Sequence, residues 1–168
     1  MSNILIFTGP VRSGKTTMLW NKFAARENVG GFLTPDKENG VRQFYDLAGK
    51  TFLPFELPAE NDLPAVEIGR FRFSAATFER GREILLKPTT YDLFIVDEVG
   101  RLEVENGAGW EPALTVLIED YKLGQRPGKL LLVVRDSLVM QTLEKWKLTE
   151  SKITILKAAE TLDSLSVI

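Results

Sequence analysis

The sequence predicts one α/β domain, a three-layer sandwich whose mostly parallel central sheet carries an antiparallel hairpin extension. Three observations support this. Short, wholly apolar runs recur, and each leads into a helical pattern. The middle of the chain instead strings together aromatic segments separated by turn residues. The 168 residues, 44% hydrophobic and 26% charged, suit a single buried core. One domain over residues 1–168 is expected, with the hairpin insertion at approximately 29–74.

Ile4–Phe7 is an apolar run closing on Thr8-Gly9, the pattern of a buried parallel strand. A helix is expected from Gly14 to about Arg26, with Leu19 and Phe23 four apart on one face. Next come VGGFLTPD, VRQFYDLAG, KTFLPFEL and RFRFS, joined at Pro35-Asp36, Asn39-Gly40 and Ala48-Gly49-Lys50. These read as an antiparallel meander extending the same sheet. A helix follows from about Ala75 to Lys87. Leu93–Val96 and Leu130–Val134 have the buried-strand look of the first run. Between them Trp110, Leu114, Leu117, Ile118 and Tyr121 repeat at helical spacing until Gly124, Pro127 and Gly128 stop the run. Val139, Leu143 and Trp146 mark another helix, and Ile153–Leu156 a last strand.

Two absences narrow the chemistry. Without cysteine there is no disulfide or thiolate site, and without histidine the commonest general base and metal ligand are gone. Acid–base work falls to Asp, Glu, Lys or Tyr, and a metal site would use oxygen ligands, which favours Mg²⁺. The net charge of −2 and the lack of a long basic cluster give no case for a nucleic-acid partner. No apolar run approaches the roughly 18 residues of a membrane span. MSNILIF lacks a basic leader region, so a cytoplasmic location is expected.

The chemistry concentrates at Gly9-Pro10-Val11-Arg12-Ser13-Gly14-Lys15-Thr16-Thr17, which fits G-x-x-x-x-G-K-[ST] between a strand and a helix. Glycines let successive N–H groups turn inward around anionic oxygens, and the helix adds its positive end. Lys15 would reach the β- and γ-phosphates, and the Thr16 hydroxyl would ligate Mg²⁺. Such a site also needs a carboxylate ending a second buried strand, expected beside the first; Asp97 in FIVDE supplies it. The adjacent Glu98 could polarise a water for attack on the γ-phosphate, or, because neighbouring strand residues alternate faces, turn towards a loop instead.

With GPVRSGKTT, GFLTPDKENGVRQFYDLAG and DEVGRLE in that order, the chain resembles the small THEP1-type nucleoside-triphosphatase family from Ile4 to about Leu156. The resemblance implies a RecA-related P-loop fold and slow Mg²⁺-dependent hydrolysis of ATP, GTP and other triphosphates. By the same resemblance, residues 9–16 bind phosphate, Lys15 and Thr16 meet phosphate and metal, and Asp97 and Glu98 act as above. Two segments depart from the family pattern: Val11-Arg12-Ser13 stand where another glycine is common, and ENGAGWEP runs on from Glu105.

Three arginines are further candidates for offsetting phosphoryl charge: Arg135 at the end of LLVV, Arg101 after the acidic pair, and Arg12 within the loop. Each could equally be a solvated cation. Phe44, Tyr45, Phe52 and Phe55 read as core or cross-strand pairs before base-stacking groups. No N-K-x-D segment reads guanine, so the preferred base stays open. The expected partner is a nucleoside triphosphate, and the expected state a monomer or weak oligomer. A small-molecule kinase or a nucleotide-dependent binding module on the same loop are the alternatives.

Overall fold

The computed structural model describes residues 2–158. Five parallel strands and two antiparallel ones make the central sheet, in the order β10-β1-β9-β8-β2-β3-β4. They are β1 (Ile4–Gly9), β2 (Val29–Leu33), β3 (Gln43–Asp46), β4 (Thr51–Pro54), β8 (Leu93–Val99), β9 (Lys129–Arg135) and β10 (Ile153–Lys157). The first helix, α1 (Lys15–Phe23), covers one face; α2 (Ala75–Leu86), α4 (Ala113–Lys122) and α5 (Val139–Lys145) cover the other, and α3 (Arg101–Val104) is a single turn after β8.

The layering follows from side-chain alternation in strands buried on both faces. Leu5, Phe7, Ile95, Leu131 and Val133 point to the side of Leu19 and Phe23 on α1. Ile4, Ile6, Phe94, Val96, Leu130, Leu132 and Val134 point to Leu114, Leu117 and Leu143 on α4 and α5. Burial of these apolar runs contributes about 25 cal/mol per Å² of area removed from water, the main favourable contribution to the fold.

The middle of the chain departs from the expected meander in two ways. VGGFL is not part of an antiparallel insertion: β2 pairs parallel with β8 on one side and antiparallel with β3 on the other. Its two glycines weaken the strand signal in the sequence, yet the packing needs them. A Cβ on Gly31 (φ 87°) would lie 1.9 Å from the Ile95 carbonyl oxygen, and one on Gly30 2.2 Å from the Tyr91 ring. Only β3 and β4 extend the sheet. The strands β5 (Glu56–Leu57), β6 (Ala65–Ile68) and β7 (Phe71–Ser74) form a separate three-stranded sheet.

Trp110 also leaves its expected helix. The helix starts at Ala113, behind Pro112, whose fixed φ suits a helix start and not its interior. Freed from it, Trp110 is buried among Phe32, Phe44, Phe55 and Phe78, with ring centroids 4.5–5.9 Å away. Phe44, Tyr45 and Phe55 are buried core residues, whereas Phe52 is half exposed and stacks on Trp20.

Candidate functional site: the loop after the first strand

The loop from Gly9 to Gly14 joins β1 to α1 at the C-terminal end of the parallel sheet. Gly14 has φ 81°, a left-handed conformation that glycine adopts without the penalty of a Cβ, and it opens the helix. Pro10, Val11, Arg12 and Thr17 are exposed, and Arg12 has no ion pair among the described residues. Lys15 is instead buried, at 7% exposure, and its ammonium folds over the loop. It donates to the carbonyls of Gly9 at 3.0 Å and Pro10 at 2.8 Å, and lies 3.4 Å from Ser13 Oγ. The lysine thus crosses the concavity that its own loop encloses.

The acidic strand does not lie beside the first, as the sequence suggested. Strand β9 sits between β1 and β8, because Leu130–Val134 is the apolar run that pairs with both. Asp97 nonetheless reaches the loop, since it continues the face that Ile95 shares with α1. Its Oδ2 accepts the Thr16 hydroxyl at 2.8 Å and the Thr34 backbone N–H at 3.1 Å. Burial, then the nearby negative Glu98, push the Asp97 carboxyl up to about 6; the Thr16 and Thr34 hydrogen bonds and the Arg42 charge pull the other way.

Simple alternation would send Glu98 to the opposite face. The strand is bulged there: three steps on β8, from Val96 to Val99, match two on β9, from Leu132 to Val134. With the alternation interrupted, Glu98 Oε1 lies 3.4 Å from Arg135 Nη2. Register places Arg135 opposite Gly9, the loop's first residue. Its Nε is buried with no hydrogen-bond partner among the described residues. Arg101 starts α3, is exposed, and forms no ion pair among the described residues; the structure does not bring it to the acidic pair.

Two neighbours of the site are not among the candidates named from the sequence. Thr34 contributes through its backbone N–H. The other, Trp110, donates its indole Nε1–H to the Glu98 carbonyl at 3.1 Å. The divergent ENGAGWEP segment is also ordered by a carboxylate. Glu103 is 3% exposed and accepts the N–H groups of Gly100 at 2.9 Å and Trp110 at 3.0 Å. Burial pushes its carboxyl up to about 7 despite those bonds.

Among the described residues no cluster of three or more carboxylates could hold a metal unaided. No helix among them is long and apolar enough to cross a membrane.

A family model described as NTPase matches residues 4–145. The crystal structure of THEP1 from the hyperthermophile Aquifex aeolicus superposes with a TM-score of 0.66 at 13% sequence identity, covering 98% of this chain and 96% of that one. No curated protein matches the chain. The structural likeness shows that the two share a P-loop fold. With the family model covering both the phosphate-loop strand and the acidic strand, the chain belongs to the NTPase family.

Proposed function

We propose that this protein is a Mg²⁺-dependent nucleoside-triphosphate phosphohydrolase, releasing the diphosphate and inorganic phosphate from ATP, GTP or other triphosphates. The observation that carries this reading is the 2.8 Å contact between the Thr16 hydroxyl and the Asp97 carboxylate, beside a loop spanned by Lys15. Those two oxygens are hard donors of the kind that would hold Mg²⁺. Asp97 is 1% exposed and its direct hydrogen-bond donors are neutral, an environment in which a cation would favour the ionised carboxylate. Bound there, Mg²⁺ would offset charge on the phosphate oxygens.

The chain's own groups divide the remaining work. Backbone amides of residues 9–17 cradle the phosphates, and the Lys15 ammonium exchanges its carbonyl partners for β- and γ-phosphate oxygens. Glu98 orients the attacking water and accepts its proton; Arg135, next to it and to Gly9, offsets the charge that develops on the transferred group. The protein works as a monomer or weak oligomer, without nucleic acid.

Phosphate release from ATP and GTP, with and without added nucleoside or nucleotide acceptors, tests the reading. Glu98→Gln should keep nucleotide binding and lose about 10²- to 10⁴-fold in turnover. Parental turnover in that variant would remove Glu98 as the base. Phosphate arriving on an added acceptor would make the protein a kinase.

A further inference from the structure

Arg12 sits at the tip of the phosphate loop in a backbone conformation that arginine does not favour. The Ser13 N–H donates to the Pro10 carbonyl at 3.2 Å, closing a turn over residues 10–13. The third residue of that turn is Arg12, at φ 60°, where a type II turn takes glycine or asparagine. A Cβ is disfavoured in this left-handed region, and the loop would form more readily with glycine at the position. The fold therefore gains nothing locally from an arginine here.

The same turn sorts the loop's side chains. Ser13 turns inward: its Oγ lies 3.4 Å from Lys15 Nζ, and a Cβ on Gly9 would sit 2.8 Å from it. Lys15 fills that interior, held by the Gly9 and Pro10 carbonyls. Val11 and Arg12 form the outer rim and are exposed. Of the cations at the site, Lys15 has its two carbonyls and Arg135 faces Glu98. Arg12 has no ion pair, side-chain hydrogen bond or ring contact among the described residues. A phosphate chain seated in the loop turns some oxygens towards the amides and Lys15, and the others outward. Those outward oxygens are within reach of a long cation on the rim, and a guanidinium fork can hold two of them at once.

We propose that Arg12 is a catalytic residue that folds over the bound triphosphate and donates to oxygens at the junction of its β- and γ-phosphates, offsetting the charge that builds on the leaving diphosphate. The proposal rests on the hydrolase reading above. In that reaction the oxygen of water bonds to the terminal phosphorus as the bond from that phosphorus to the bridging oxygen breaks. The electron pair of the broken bond stays on the diphosphate, and the proton of the water passes to Glu98. Arg135 is paired with the group that handles the water, whereas Arg12 serves the leaving group. Its charge counts most while that bond is breaking, so its effect falls on kcat more than on binding.

The test measures steady-state phosphate release from Mg²⁺-ATP, Mg²⁺-ADP binding by calorimetry and thermal melting for the parent, Arg12→Gly, Arg12→Asn and Arg12→Lys. Glycine and asparagine suit a left-handed backbone, so those two variants should melt at the parental temperature or up to about 4 °C above it. Both should lose about ten- to a hundredfold in kcat, the size of one charge-assisted hydrogen bond, while ADP affinity stays within about threefold. Arg12→Lys keeps the charge and the strained backbone and should recover part of kcat. Guanidinium ion added to Arg12→Gly should restore part of its turnover, where the same concentration of urea does not. Parental kcat in Arg12→Gly overturns the proposal, whether or not KM has risen. Turnover lost together with thermal stability, and not rescued by guanidinium, assigns the loss to the structure of the loop and overturns it as well. A parent that releases no phosphate overturns the hydrolase reading and this role with it; an active parent matched by Arg12→Gly removes Arg12 alone.

Discussion

Arg135 Nη2 lies 3.4 Å from Glu98 Oε1, joining the ends of two adjacent strands, with Arg135 in register with Gly9. Both side chains are about 30% exposed, so the pair can open without unpacking the core. Its two members are assigned opposite tasks, a base for water and a cation for phosphate. Arg135→Ala should lower kcat by about ten- to a hundredfold, with a smaller change in KM, measured by steady-state phosphate release. A rise in kcat would show that the pair restrains Glu98 and does not assist it.

Thr16 separates metal dependence from folding. Thr16→Ala removes one hydrogen bond to Asp97 and, on the proposed reading, one metal ligand. The Mg²⁺ concentration for half-maximal activity should rise at least about tenfold, while stability falls by about 1–2 kcal/mol. An unchanged Mg²⁺ titration would place the ion elsewhere.

The buried carboxyls predict an unusual pH dependence of stability. Asp97 and Glu103 are raised to about 6 and about 7 from 3.8 and 4.5. A carboxyl raised on folding binds its proton more tightly in the folded state. The stability it contributes is full below the unfolded value and is lost as pH rises through the folded one. Melting temperature without Mg²⁺ or nucleotide should therefore decline between about pH 4.5 and 7.5, against the usual carboxylate trend. Glu103 accounts for a few kcal/mol of this at most, so Glu103→Gln should flatten the decline by roughly 5 °C across that window. The substitution also costs one accepted backbone hydrogen bond, which lowers the whole curve without changing its slope. A parental slope in the variant would assign the titration elsewhere.

Gly81 tests the support behind the site. A Cβ there would sit 2.3 Å from the Trp110 ring, whose Nε1–H holds the Glu98 carbonyl. Gly81→Ala should destabilise by about 1–3 kcal/mol through overpacking and should also slow turnover. Normal melting and normal turnover together would mean that the ring shifts freely and does not position Glu98.

Much of the site was readable because its parts are local. A glycine-flanked loop between an apolar run and a helix specifies its own backbone, and Ser74–Leu86 shows the same autonomy: the Ser74 hydroxyl accepts the Thr77 N–H, and the helix ends beside the expected Lys87. Within that helix the charged stretch Glu79–Glu83 has exposed acidic ends and a buried centre. Gly81 is buried against Trp110, and Arg82 donates to the Gly109 carbonyl at 2.8 Å. Local charge density does not reveal which glycine lies under a distant indole.

The amino-acid order by itself determined the alternation of strands and helices, the glycine-flanked loop between the first strand and helix, and the acidic pair that follows an apolar run, since each depends on residues within about ten positions. Tertiary structure decided that β9 separates the two motif strands, that β2 joins the parallel sheet, and that the bulge brings Glu98 to Arg135. Strand neighbours are chosen by burial shared among elements far apart in the chain, and a one-residue shift in pairing turns a side chain to the other face. No short window of sequence contains that choice.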